Sequence, residues 1–78
     1  MKKCCIFYNR DKELANRFYK ELKGYLNIKK IQIIDEEYID EADFVVVIGG
    51  DGTLLRASKT ILKNENVFLK AKIYILLF

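Results

Sequence analysis

An α/β fold, built on a parallel sheet flanked by helices, is predicted by three features of the sequence. Two short apolar runs, Cys4 to Tyr8 and Phe44 to Ile48, are continuous rather than alternating, the pattern of strands buried on both faces. Each is followed by a stretch with helical periodicity. A glycine-rich turn, Gly49-Gly50-Asp51-Gly52, joins the second run to its helix. The expected order is β-α-β-β-α-β, a partial Rossmann-like sheet whose crossovers are right-handed.

Each element has a local reason. Cys4 to Tyr8 is the first strand, and Asn9 or Asp11 can cap the next element. Leu14, Phe18 and Leu22 recur every four residues beside Ala15 and Tyr19, so a helix is expected over residues 11–23. Gly24 is placed to end it in a left-handed conformation. Lys30 to Ile34 reads as a short second strand. The acidic stretch Asp35 to Asp43 reads as a solvated loop or a short exposed helical turn, because its charges repel. It lacks the glycine and the ligand spacing of a calcium loop. Phe44 to Ile48 is β-branched and wholly apolar, the clearest strand in the chain.

From Thr53 the pattern is helical, with Leu54, Ala57, Ser58, Ile61 and Leu62 on one face and Thr53 as a plausible N-cap. Asn64-Glu65-Asn66 is expected to break that helix. Val67 to Phe78 reads as a final strand, with Lys70, Lys72 and Tyr74 on one face and Ala71, Ile73 and Ile75 on the other.

Composition narrows the function. The 78 residues hold at most one small domain. Hydrophobic residues make up 51% and charged residues 32%, with a net charge of +3, which suits a soluble globular protein. There is no histidine, so a Ser-His-Asp triad, a Cys-His dyad and an imidazole-ligated zinc site are excluded. The two cysteines are adjacent and point to opposite faces of a strand, so they read as reduced core residues in a cytoplasmic protein. No targeting segment is visible, and the apolar run from Ile73 to Phe78 is far below the ~20 residues that span a bilayer. No basic stripe interleaved with aromatics suggests nucleic acid. Neither a membrane nor a nucleic acid is therefore expected as a partner.

The strand–glycine turn–helix segment from Val45 to Arg56 carries the chemistry. Glycines let backbone approach a ligand without a Cβ in the way, and the helix start adds unpaired N–H groups and a positive end. The turn is neither a G-x-G-x-x-G dinucleotide loop nor a Walker A loop. An acid inside a phosphate-binding turn makes sense if Asp51 does chemistry, by accepting a proton from an attacking hydroxyl or by helping hold a divalent ion. The same four residues are also a common turn composition, and Asp is a common helix-start residue.

Asp40-Glu41-Ala42-Asp43, the apolar strand and Gly-Gly-Asp-Gly-Thr-Leu-Leu-Arg together resemble the N-terminal domain of the ATP-NAD kinases, over roughly residues 2 to 66. The resemblance implies transfer of the γ-phosphoryl group of ATP, or of polyphosphate, to the 2′-hydroxyl of the adenosine ribose of NAD. It implies Asp51 as general base and Gly49, Gly50, Asp51, Gly52, Thr53 and Arg56 as nucleotide- or NAD-binding residues. A divalent metal, usually Mg²⁺, is implied by the ATP chemistry, with no protein metal ligand assigned. A homo-oligomer is implied for a full-length member. Diacylglycerol and sphingosine kinases share Gly-Gly-Asp-Gly, but their tail differs from Thr53-Leu54-Leu55-Arg56. A lipid-type kinase and a non-enzymatic phosphate-binding module stand as alternatives.

Residues 67–78 depart from the family. An Asn-x-Gly-x-x-Gly-Phe type loop is expected after the helix, yet no glycine follows Gly52. Asn64-Glu65 comes too early to be the family's Asn-Glu motif. The expectation is a single partial domain, a fragment or frame-shifted end without the β-rich C-terminal domain, and without useful kinase activity by itself.

Overall fold

A computed structural model describes all 78 residues. Strand β1 (Lys3–Tyr8) leads into helix α1 (Glu13–Ile28), and β2 (Gln32–Ile34) comes next. A 3₁₀ segment, Glu36–Glu41, interrupted at Tyr38, precedes β3 (Phe44–Gly49). Helix α2 (Asp51–Lys63), a short α3 (Glu65–Lys70) and β4 (Lys72–Leu77) complete the chain. The four strands form one parallel sheet in the order β2-β1-β3-β4, as the predicted fold class requires.

The sheet has a core on each face, because alternate residues of a strand point to opposite sides. Cys5 and Phe7 of β1 and Val45 and Val47 of β3 meet Ala57 and Ile61 of α2, Val67 of α3, and Ile39 and Ala42. Cys4, Ile6 and Ile48 meet Ala15 and Leu26 of α1 on the other face, with Phe18, Tyr19 and Leu22 alongside. Strands β1 and β3 are thus buried on both sides, which is why their sequences do not alternate.

Burial pushes the Cys4 thiol up to about 11 and the Cys5 thiol up to about 12, where the nearby Glu36 carboxylate adds to the effect. Both thiols are free. The native protons are held more tightly than those of an unfolded thiol. This contribution to stability is therefore complete below pH 9 and is lost as pH rises through 11 to 12. We expect the melting temperature to fall above pH 9 more steeply in the native sequence than in a Cys4→Ala/Cys5→Ala variant. Equal slopes in the two proteins would count against it.

Several boundaries differ from the sequence-based expectation. Gly24 does not end α1, which runs on to Ile28; the left-handed residue is Lys30, with φ 59°. Leu26 is the reason: it buries its side chain against the sheet and holds the last turn in helical form. The stretch Lys30–Ile31, expected in the second strand, is instead the turn into β2. A Cβ on Gly24 would meet nothing within 4 Å. We expect Gly24→Ala to stabilise the protein by about 0.5–1 kcal/mol in denaturant titration, since alanine removes unfolded-state freedom at no steric cost.

Asn9 and Asp11 do not cap α1. Its N-cap is Lys12, and Asn9 Oδ1 accepts the Asp11 N–H at 3.0 Å in a turn of its own. Thr53 does not cap α2, because the helix begins two residues earlier, at Asp51, with Gly50 as N-cap. Thr53 is buried inside the first turn. Leu62, assigned to the buried face of that helix, is 70% exposed.

The acidic segment forms the expected short helical turn, but it is not only a solvated face. Ile39 and Ala42 plug the core. The Asp43 carboxylate accepts the Lys3 N–H at 2.9 Å, which holds its pKa below the usual value. Glu41 pairs with the Lys3 ammonium.

The largest difference is at residues 67–78. Val67 to Lys70 are helical, with Val67 in the core, and the strand starts only at Lys72. β4 pairs in register from Phe44↔Lys72 to Gly49↔Leu77. Its residues are exposed throughout, although all but Lys72 and Tyr74 are aliphatic. No helix of the protein is long and apolar enough to cross a membrane.

Candidate nucleotide-phosphate site

The site residues are positioned by β3 ending at the carboxyl edge of the sheet. In an open parallel sheet, ligands bind at that edge, where neighbouring crossovers leave to opposite faces. Here β1 feeds α1 on one face and β3 feeds α2 on the other, so the point of reversal lies between these two central strands. The loops after them leave side by side, and the Asn9 N–H donates to the Ile48 carbonyl at 3.2 Å.

Gly49 is the pivot. Its φ of +151° lies where L side chains are rarely found, and a Cβ there would sit 2.8 Å from Thr53 Oγ1 and 3.2 Å from Thr53 Cβ. Glycine is required because α2 folds straight back over the end of β3. Gly52 is different. A Cβ there would meet nothing within 4 Å, so packing does not account for the missing side chain in the first turn of a helix. Open space over a glycine is what close approach of a ligand to backbone needs.

The Leu54 N–H is the first to bond back along α2, to the Gly50 carbonyl at 3.1 Å. The N–H groups of Asp51, Gly52 and Thr53 therefore begin the helix without partners in its ladder. Asp51 is exposed at the first helical position, where the helix dipole favours a negative charge. Neither ion pair of the protein involves it. Gly49, Gly50, Asp51, Gly52 and Thr53 are thus one contiguous turn, with an uncommitted carboxylate in its centre.

Arg56 stands apart from them. Its Nη1 donates to both carboxylate oxygens of Glu36, at 2.6 and 2.7 Å, and its guanidinium lies 5.1 Å from the Phe7 ring centroid. Arg56 and Glu36 line a cavity of about 360 Å³ with Ile6, Tyr8 and Arg10, at the open flank of β1 beyond its last pair with β2. Glu36 is not among the site residues expected from sequence. It lies in a repelling acidic run, and only the packing of the 3₁₀ segment against β1 and α3 brings it to Arg56.

Lys12 is likewise absent from that set. Its ammonium lies 3.2 Å from where a Cβ on Gly50 would be, although the two residues are far apart in sequence. The signal existed in the topology: the loop after β1 must lie beside the loop after β3 when those strands are neighbours. No three His, Cys, Asp or Glu side chains are gathered in a way that could hold a metal ion.

Sheet, crossovers and turn define an α/β domain of the parallel, Rossmann-like kind, with a strand–glycine turn–helix at its carboxyl edge. The sequence model of the ATP-NAD kinase N-terminal domain matches residues 7–67. The chain is 53% identical over 68 residues to an NAD kinase of Fusobacterium nucleatum, covering 86% of this chain and 25% of that protein. It is 32% identical over 61 residues to an NAD kinase of Clostridium beijerinckii, covering 72% of this chain and 22% of that protein. A bifunctional NADP phosphatase/NAD kinase of Methanococcus maripaludis is 49% identical over 53 residues, covering 68% of this chain and 9% of that protein. No solved structure is significantly similar to it. This chain belongs to the ATP-NAD kinase family, and it spans about a quarter of the length of the curated NAD kinases it matches.

Proposed function

We propose that these residues form the phosphate-binding and proton-accepting part of an NAD kinase. Asp51 takes the proton of the 2′-hydroxyl on the adenosine ribose of NAD. That oxygen attacks the γ-phosphorus of ATP, the bond from that phosphorus to the β-phosphate oxygen breaks, and NADP and ADP result. The single observation that supports this most is the uncommitted Asp51 carboxylate, set among unpaired helix-start N–H groups and the open backbone of Gly52. A carboxylate bound to an arginine or lysine would be a poorer base.

The other residues take roles that fit their places. Gly49 shapes the turn, while Gly50 and Gly52 let phosphate approach backbone. Thr53, packed under Gly49, holds the turn rather than contacting the ligand first. Arg56 keeps Nη2 and Nε outside its Glu36 pairing, and these are the atoms we assign to the bound dinucleotide. Polyphosphate could replace ATP as donor, since none of these contacts reads the donor's base. The Mg²⁺ of this chemistry would be held mainly by phosphate oxygens and water, the usual arrangement where Mg²⁺ serves a nucleotide triphosphate. It would neutralise charge on the transferring phosphoryl group.

The 78 residues build one wall of such a site. Phosphoryl transfer depends on holding both substrates in line, so we expect little turnover from this wall by itself. A cytoplasmic setting, where Cys4 and Cys5 stay reduced, and a homo-oligomeric complete enzyme belong to the same reading.

The test is a chimera in which residues 7–67 replace the matching segment of the Fusobacterium nucleatum relative. NADP formation from NAD and ATP with Mg²⁺ is the expected result. A folded chimera that binds NAD and makes no NADP would refute the reading, and phosphorylation of a lipid hydroxyl instead would favour the lipid-kinase alternative.

A further inference from the structure

We propose that Lys12 is a phosphate ligand of this site and grips the polyphosphate chain of the nucleoside triphosphate from the β1 side of the Gly49–Gly52 turn. The inference rests on the reading that this turn takes nucleotide phosphate, and it adds a residue that the glycine motif does not contain.

Three observations carry it. The Lys12 ammonium lies over the turn, 3.2 Å from the position a Cβ on Gly50 would fill, so the missing side chain leaves room for a cation at the backbone. The loop that holds Lys12 is anchored there: Asn9 donates its N–H to Ile48 at 3.2 Å, and Asn9 Cβ would lie 3.4 Å from a Cβ on Gly49. No side-chain carboxylate holds Lys12, since the two side-chain ion pairs of the protein are Lys3–Glu41 and Arg56–Glu36. Its contacts are a long hydrogen bond to the main-chain oxygen of Phe78, at 3.5 Å, and the Phe78 ring, 5.8 Å from its centroid. In the 78-residue chain that oxygen belongs to the terminal carboxylate, with a single negative charge, and a phosphate chain carrying several charges outcompetes it and the ring.

The electrostatics of the turn require such a group. Asp51 brings a negative charge to the place where phosphates are to sit, and partial charges on three N–H groups offset it only in part. Arg56 does not supply the balance at Gly50, because its guanidinium is held by Glu36 over the Phe7 ring. Lys12 does. A lysine suits the task because its compact charge, on a flexible stem, can follow a phosphate that moves during transfer.

The experiment uses the full 78-residue chain, with amide and lysine side-chain NMR signals followed during titration with inorganic tripolyphosphate and, separately, with adenosine. Tripolyphosphate is expected to shift the amides of Gly49 to Thr53 together with the Lys12 side chain. Lys12→Met is expected to weaken that binding about five- to tenfold, with Lys12→Arg recovering most of the loss and the amide spectrum otherwise native. Adenosine, which carries no phosphate, should bind the native and Lys12→Met chains alike. Equal tripolyphosphate affinity in the native and Lys12→Met chains overturns this inference and leaves the phosphate site standing. Absence of any shift at Gly49 to Thr53 in the native chain overturns the phosphate site and this inference together.

Discussion

Asp51→Asn in the active chimera is expected to lower kcat by about 10²–10⁴-fold, with a much smaller effect on the KM for either substrate. That range is what a positioned general base contributes to a proton transfer. Asparagine has the same shape and remains a good helix-start residue, so the turn should keep its geometry. Asp51 is exposed and makes no ion pair in the protein, so its replacement should leave the melting temperature within a few degrees of the parent. Removing a negative charge beside bound phosphate should, if anything, tighten nucleotide binding. Loss of rate without loss of binding is therefore the signature of a base. If kcat stays within about threefold of the parent, Asp51 does not take the proton. If KM for ATP rises in step with a falling kcat/KM while kcat holds, the residue binds rather than reacts.

Gly49→Ala should be the most damaging single methyl addition in the protein. Two costs add. The backbone sits at φ +151°, a region that glycine occupies and alanine avoids at a cost of roughly 1–3 kcal/mol. The new Cβ would also lie 2.8 Å from Thr53 Oγ1 and 3.2 Å from Thr53 Cβ, and Thr53 is a buried, β-branched residue in a helix with little freedom to turn away. Overpacking of this kind typically costs a further ~1–3 kcal/mol. A domain of this size has only about 4–12 kcal/mol of stability, so a loss of about 2–6 kcal/mol is a large share of it. Denaturant titration should show a large drop in midpoint with little change in slope. The double variant Gly49→Ala/Thr53→Ala isolates the Oγ1 clash, because it removes that atom and keeps the backbone strain and the 3.2 Å approach to Cβ. It should recover part of the lost stability. A single variant as stable as the parent would mean that the turn relaxes freely, and Gly49 would then need a purely ligand-based explanation.

Much of the fold and of the turn is legible in the sequence. The continuous apolar runs at Cys4–Tyr8 and Phe44–Ile48 required strands covered on both faces, and those strands are the two central ones. The glycine turn and Asp51 are legible because glycine and acid side chains act through local backbone geometry. Where an expectation depends on which distant surface a side chain will reach, sequence periodicity is a weaker guide. Gly24 has the look of a helix end because nothing local shows that Leu26 has a place to bury. Thr53 has the look of a cap because its type favours caps, yet the fold needs it under Gly49. The run from Val67 reads as one long strand because its residues are mostly apolar or basic; Val67 is drawn into the core instead, and that pulls one more helical turn out of the segment.

The fold class, the central strands and the glycine turn with its acid follow from the amino-acid order, since these depend on short-range pattern and on what one residue's backbone can do. Which charges meet there depends on long-range packing. Glu36 reaches Arg56 because the 3₁₀ segment packs against β1 and α3, and Lys12 reaches Gly50 because β1 and β3 are neighbours in the sheet. Such pairings join residues 20 or more positions apart, and they exist only once the strands have chosen their order.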